Sequence, residues 1–88
     1  MIVYKFYKPD CTPCYVLSRI LKHIAIPKDI TFINLNIEDE ENKTFAKENN
    51  IDKIPSLMFS NGVKIIGLKT EEEIVKFLNR ESNYEISN

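Results

Sequence analysis

Two cysteines stand three positions apart, Cys11 and Cys14, at the point where the chain changes from strand-like to helix-like patterning. The residues before them, Ile2 to Tyr7, are rich in β-branched and aromatic types with apolar character on both faces, which predicts a short strand inside a sheet. Lys8-Pro9-Asp10 ends that run. From Thr12 onward Leu17, Ile20, Leu21 and Ile24 follow the i, i+3, i+4, i+7 spacing of one helix face, so a helix is expected to about Ala25, with Pro27 forbidding its continuation. These are the only cysteines, and a pair so close in sequence cannot close the long loops by which disulfides staple small secreted domains. Their contribution is chemical, or nil.

The position favours thiol chemistry. At a helix start the unpaired N–H groups and the positive end of the dipole stabilise an anion, and the thiolate is the reactive form of cysteine. Pro13, in the first turn, gives up only an N–H that has no helical partner there. Cys11 faces solvent as the attacking thiol, and Cys14, about one turn inward, is shielded and placed to resolve the mixed disulfide. A structural zinc site needs about four ligands. The chain offers two thiols and the distant His23, which lies off its helix's apolar stripe, so only a site shared between chains would complete one, and a redox-sensing or metal-sharing binding module is the non-enzymatic alternative.

The rest of the chain supplies a scaffold. Ile30, Phe32, Ile33 and Leu35 form a second strand, completing a βαβ unit whose strands are parallel. Between Glu38 and Asn50 acids precede lysines, as a helix dipole prefers; this weakly amphipathic helix has a solvated acidic start and little apolar surface beyond Phe45 and Ala46. Ser56 to Ser60 and Val63 to Ile66 flank Asn61-Gly62, which predicts an antiparallel hairpin with a two-residue turn. Thr70-Glu71-Glu72-Glu73 matches a capping box ahead of a last helix running to about Arg80. The expected architecture is α/β, a four-stranded mixed sheet with three helices on its two faces, in the order βαβ, helix, β-hairpin, helix. One domain over residues 1–80 is followed by a tail, residues 81–88, with only Tyr84 and Ile86 to bury.

Charge excludes some functions. A net charge of −1 from 12 basic and 13 acidic residues spread along the chain leaves no footprint for nucleic acid. No apolar run approaches a membrane span and no leader pattern precedes Ile2, so a cytoplasmic protein is expected; a monomer is the expected state, with the oligomeric state left open by the sequence.

In order, Cys11-Thr12-Pro13-Cys14 after a strand, Asn36-Ile37, Ile54-Pro55-Ser56 opening a strand, then Asn61-Gly62 and Gly67 resemble the thioredoxin superfamily over about residues 2 to 80. The resemblance implies a thioredoxin-like fold of the smaller, glutaredoxin-sized kind, and a dithiol-disulfide oxidoreductase acting on protein disulfides. It implies a cis Ile54–Pro55 peptide beside the cysteines and an Ile54 backbone that pairs with substrate. Thr12, Pro13 and Gly67 complete the substrate-binding set. No bound cofactor or metal is required, and a flavoprotein reductase or another thiol returns the electrons. Proline third in the motif is similar to thioredoxins. Glutaredoxins usually carry it second, with a glutathione segment that here reads Gly67-Leu68-Lys69-Thr70, so a glutathione-dependent reductase is the alternative within this chemistry. Two departures stand out: Asp10 replaces the tryptophan usual before the first cysteine, and Lys5 occupies a strand position where thioredoxins commonly place a buried acid. Asp10 near Cys11 would oppose its thiolate, Lys8 would favour it, and Tyr7 is expected as a core or rim residue, with packing beside the motif in place of the missing tryptophan as the alternative.

Overall fold

Strand pairing follows from the apolar runs. In a computed structural model that describes residues 1–82, they become β1 (Ile2–Tyr7), β2 (Thr31–Asn36), β3 (Ser56–Phe59) and β4 (Lys64–Ile66), with α1 (Thr12–His23), α2 (Glu40–Glu48) and α3 (Glu71–Glu81) between and after them. Tyr84 and Ile86 lie outside the described residues. The strands form one mixed sheet in the order β2-β1-β3-β4. β1 runs parallel to β2, with Val3 opposite Phe32 and Phe6 opposite Leu35, and antiparallel to β3, with Val3 opposite Phe59 and Phe6 opposite Ser56. α1 is the crossover that a parallel pair needs.

Because successive strand residues point to opposite faces, the sheet builds two cores. On one face Val3, Leu57 and Phe59 meet Leu17 of α1 and Ile74, Phe77 and Leu78 of α3, with the Phe59 and Phe77 rings 5.0 Å apart. On the other, Phe6 and Met58 meet Ala46 of α2 and Ile51. Phe45 of α2 packs its ring 5.1 Å from Tyr4 and 5.9 Å from Phe6, so this helix is anchored by the two residues expected of it. Fully burying a side chain of this size stabilises by about 1.5–3 kcal/mol, and β1 contributes one such residue to each core.

Two of the differences from the expected boundaries have a clear physical cause. α1 stops at His23, two residues early, because Ile24 is already extended (φ −94°, ψ 160°) while its N–H still bonds the Ile20 carbonyl. Extended backbone lets Ile24 and Ile26 both reach the core, and the residue before a proline is in any case turned away from helix. The hairpin turn is longer than two residues. Phe59 faces Val63 across a three-residue loop in which Gly62 N–H bonds the Phe59 carbonyl at 2.8 Å and only Gly62 takes positive φ, +96°. Asn61 does not adopt the left-handed conformation that a two-residue Asn-Gly turn requires; its side chain instead accepts the Val63 N–H at 3.0 Å.

Candidate active site

β1 delivers the chain to the cysteines and α1 begins on them. Cys11 is the N-cap, with extended backbone (φ −147°, ψ 104°), and its Sγ accepts the Cys14 N–H at 3.2 Å. Sulfur thus occupies the place where serine or aspartate oxygen usually caps a helix. Its carbonyl takes the Tyr15 N–H at 3.1 Å, the first bond of the helix. Pro13 lies in the first turn, where a missing N–H leaves nothing unpaired, and no acid occurs in that turn to compete for the positive dipole end. The two sulfurs are joined, with Cα atoms 5.2 Å apart, within normal disulfide reach. Cys11 is half-exposed, whereas Cys14 is only 4% exposed.

The register gathers the remaining predicted residues at one end of the sheet. Phe6 lies opposite Ser56 and Ser56 opposite Ile66, so Tyr7, Pro55 and Gly67 follow at the same end, the end from which β1 leads to Cys11. Ile54–Pro55 is cis, as the resemblance implies, and Pro55 is buried. Ser56 ties this corner together: its hydroxyl donates to the Lys53 carbonyl at 2.6 Å and accepts the Gly67 N–H at 3.2 Å. Gly67 has φ +82°, a backbone that side-chain-bearing residues rarely adopt. The Ile54 side chain packs in the α2-side core, and Thr12 and Pro13 are exposed on the first turn of α1.

A cavity of ≈ 170 Å³ opens beside the cysteines, walled by Tyr7, Lys8, Pro9, Tyr15 and Ser18. Tyr7 therefore sits beside the motif and not simply in a core. Lys8 and Asp10 are both exposed, and of the two Lys8 lines this cavity. Another hollow of ≈ 170 Å³ lies beneath α2, lined by Ile37, Ala46, Ile51 and Ile54 with Lys43, Lys47, Asp52 and Lys53; its lining holds no thiol, hydroxyl or imidazole. Lys5 points from β1 to α1, where its Nζ donates to Ser18 Oγ at 2.7 Å. Burial first, and the nearby Lys22 ammonium second, hold its pKa below the ordinary lysine value of 10.5.

Three residues beside the site carry no warning in the motif itself: Tyr15, Ser18 and Ser56. Tyr15 is 63% exposed at the rim with the Arg19 guanidinium 5.9 Å from its ring centre. Ser18 could have been found from spacing, since it lies one turn beyond Cys14 on the same helix. Among the described residues no group of three or more His, Cys, Asp or Glu side chains comes together, and His23 is exposed at the last turn of α1.

A sheet that ends on a helix-capping thiol, with a shielded second thiol one turn away and a cis-proline corner alongside, defines a thiol-disulfide oxidoreductase. Residues 1–80 match the thioredoxin family model, and the chain belongs to that family. It is 28% identical to a thioredoxin of Chlamydia pneumoniae over 85 residues, covering 91% of this chain and 81% of the relative. It is 29% identical to a thioredoxin of Pyropia yezoensis over 83 residues, covering 90% and 78%. Mitochondrial thioredoxin 3 from Saccharomyces cerevisiae, in its oxidized form, superposes with a TM-score of 0.73 at 26% identity, over 90% of this chain and 76% of that one. Thioredoxin O2 from Arabidopsis thaliana shares the fold, with a TM-score of 0.70 at 21% identity, over 91% and 73%. The chain is a protein-disulfide reductase of this family, and the family match does not favour the glutathione-dependent or non-enzymatic alternatives. Among the described residues, no helix is long and apolar enough to cross a membrane.

Proposed function

We propose that Cys11 is the attacking thiol and Cys14 the resolving one, in a monomer that reduces disulfides of protein substrates without a bound cofactor. The Cys11 thiolate attacks one sulfur of the substrate disulfide. A mixed disulfide forms, and the other substrate sulfur leaves as a thiolate and takes a proton. The Cys14 thiolate then attacks Cys11 Sγ, breaking the mixed disulfide and expelling the second substrate thiolate. Two electrons have passed to the substrate and the protein holds its own disulfide. A flavoprotein reductase or a small thiol reverses the change on the protein, as a reducing cytoplasm would sustain. Substrate backbone pairs with Ile54 next to the cis-proline, over a platform made by Thr12, Pro13 and Gly67.

The observation that carries this reading is the Cys11 sulfur accepting the Cys14 N–H at 3.2 Å in the disulfide, at a helix terminus whose dipole favours the Cys11 thiolate once the bond is reduced. Insulin-disulfide reduction driven by dithiothreitol tests it, comparing the intact protein with Cys11→Ser and Cys14→Ser. Both variants should fall to the uncatalysed rate, and Cys14→Ser should trap a mixed disulfide through Cys11. Variants as fast as the intact protein would remove the dithiol from the mechanism.

A further inference from the structure

Lys5 is a half-buried cation in an interior strand, and the exchange of sulfurs described above makes no use of it. It shares a sheet face with Val3, and its strand neighbours in register are Asn34 and Leu57, a setting that packing alone would fill with an apolar side chain. The ammonium instead spends a hydrogen bond on Ser18 Oγ at 2.7 Å. An ammonium has donors and no acceptor, so in this bond the serine oxygen accepts and its own proton is left to give. Ser18 lies one turn beyond Cys14, which makes the two side chains surface neighbours on α1, and both line the ≈ 170 Å³ cavity that holds the sulfurs. On its other side Ser18 lines a hollow of ≈ 420 Å³ with Lys5 and Lys22. Ser18 is thus the wall between the cysteines and a cationic chamber.

We propose that Lys5 and Ser18 form a cationic relay behind the dithiol, in which the Lys5 ammonium fixes the Ser18 hydroxyl as a donor toward Cys14 and so stabilises the Cys14 thiolate of the reduced protein. The proposal rests on the resolving role given to Cys14 above. A thiolate at a site only 4% exposed is disfavoured by desolvation, and a donor backed by a positive charge opposes that penalty. In the resolving step the Cys14 thiolate, its proton already given to solvent, attacks Cys11 Sγ while the substrate sulfur leaves with the bonding pair. Lys5 and Ser18 neither gain nor lose a proton; they are positioning residues.

The charges facing the relay are of one sign. Lys22 of α1 lies beside Lys5, and Lys8 lines the sulfur side together with the Tyr7 and Tyr15 phenols. From the neighbouring strands come Asn34 and Leu57, which carry no charge. The depressed pKa of Lys5 fits an ammonium held partly out of water near a second one.

The test is a thiolate-absorbance titration of Cys14 in a Cys11→Ser background, with Lys5→Met, Lys5→Arg and Ser18→Ala added singly. Lys5→Met and Ser18→Ala should each lower the thiolate fraction at neutral pH about tenfold, the scale of one hydrogen bond to a charged group. Lys5→Arg keeps the cation and should titrate near the background. With both cysteines present, Lys5→Met should shift the dithiol–disulfide equilibrium against glutathione toward the disulfide by at most about twofold, because most of the reduced protein then carries Cys14 as the thiol. Unchanged titrations in both Lys5→Met and Ser18→Ala would overturn the relay, as would Lys5→Arg moving as far as Lys5→Met. None of these readings requires substrate turnover, so failure of the relay is separable from failure of the proposed reductase cycle, which insulin turnover by the intact protein reads.

Discussion

Helices α1 and α3 both begin on a residue whose side chain accepts the backbone N–H three positions on, yet the two termini carry different chemistry. At α3, Thr70 Oγ1 accepts the Glu73 N–H at 3.1 Å and the Glu73 carboxylate accepts the Thr70 N–H at 3.2 Å, with Glu71 and Glu72 completing an acidic first turn. At α1 the acceptor is Cys11 sulfur and the first turn holds no acid. Carboxylates already occupy the positive end of the α3 dipole, which makes a firm helix start. The α1 terminus keeps its positive end for a sulfur anion and supplies a weaker cap. Stability and reactivity are thus drawn from one physical feature at two places in the same chain.

Cys11→Ser separates the two uses most sharply. Serine is a good N-cap, so the urea midpoint of the variant under reducing conditions should be no lower than that of the parent, while disulfide reduction falls to background. A variant that loses both would mean that the sulfur holds the helix as well as the chemistry. Thr70→Ala is the mirror experiment. It should lower unfolding free energy by about 1 kcal/mol and leave the alkylation rate of Cys11 unchanged. Reduced protein should also be alkylated at Cys11 well before Cys14, as their exposures dictate.

Much of this contrast was legible in the sequence, because both termini are written in local patterns. The capping box needs Thr70 and Glu73 three apart, and the thiol site needs a strand, a turn and an apolar stripe in that order. What local pattern could not supply was whatever depends on partners distant in the chain. The hairpin turned on Gly62 alone because register placed Phe59 opposite Val63, and sequence reads Asn61-Gly62 without that register. α1 ended early because Ile24 and Ile26 had a core to reach. Lys5 stood out as a departure from the family pattern, but its meaning depends on Ser18, thirteen residues away and across a strand-to-helix contact. The cis-proline corner was inferable only from the resemblance; the Ser56 hydroxyl that ties it to Gly67 belongs to a fold already formed.

A smaller effect comes from giving α1 what α3 has. Thr12→Glu puts a carboxylate in the exposed first turn beside Cys11, where it competes for the same dipole. The interaction of a charge with a helix end corresponds to about a two- to fivefold change, so alkylation of Cys11 at neutral pH should slow by that factor. An unchanged rate would mean that the N–H contact, and not the terminus as a whole, activates the sulfur.

The smallest effect lies at α3 and in acid. The Glu73 carboxyl is held below its ordinary value of 4.5, first by the Thr70 N–H, then by the Thr70 hydroxyl, with Lys69 and Lys76 adding attraction. For an acid whose pKa is lower in the folded state, the stabilisation is complete above the unfolded value and is lost as pH falls through the folded one. Glu73→Gln preserves the capping geometry but cannot ionise. Parent and variant should therefore differ by a constant amount at neutral pH, and the gap should close below about 4.5 as Glu73 protonates. Because Glu73 is fully exposed, salt should narrow the gap as well. The alkylation rate of Cys11 in Glu73→Gln should follow the parent at every pH, since the charge that changes sits on a different helix terminus. A pH-dependent divergence in that rate would show that the two termini are electrically coupled, and the division of labour between α1 and α3 would then be incomplete.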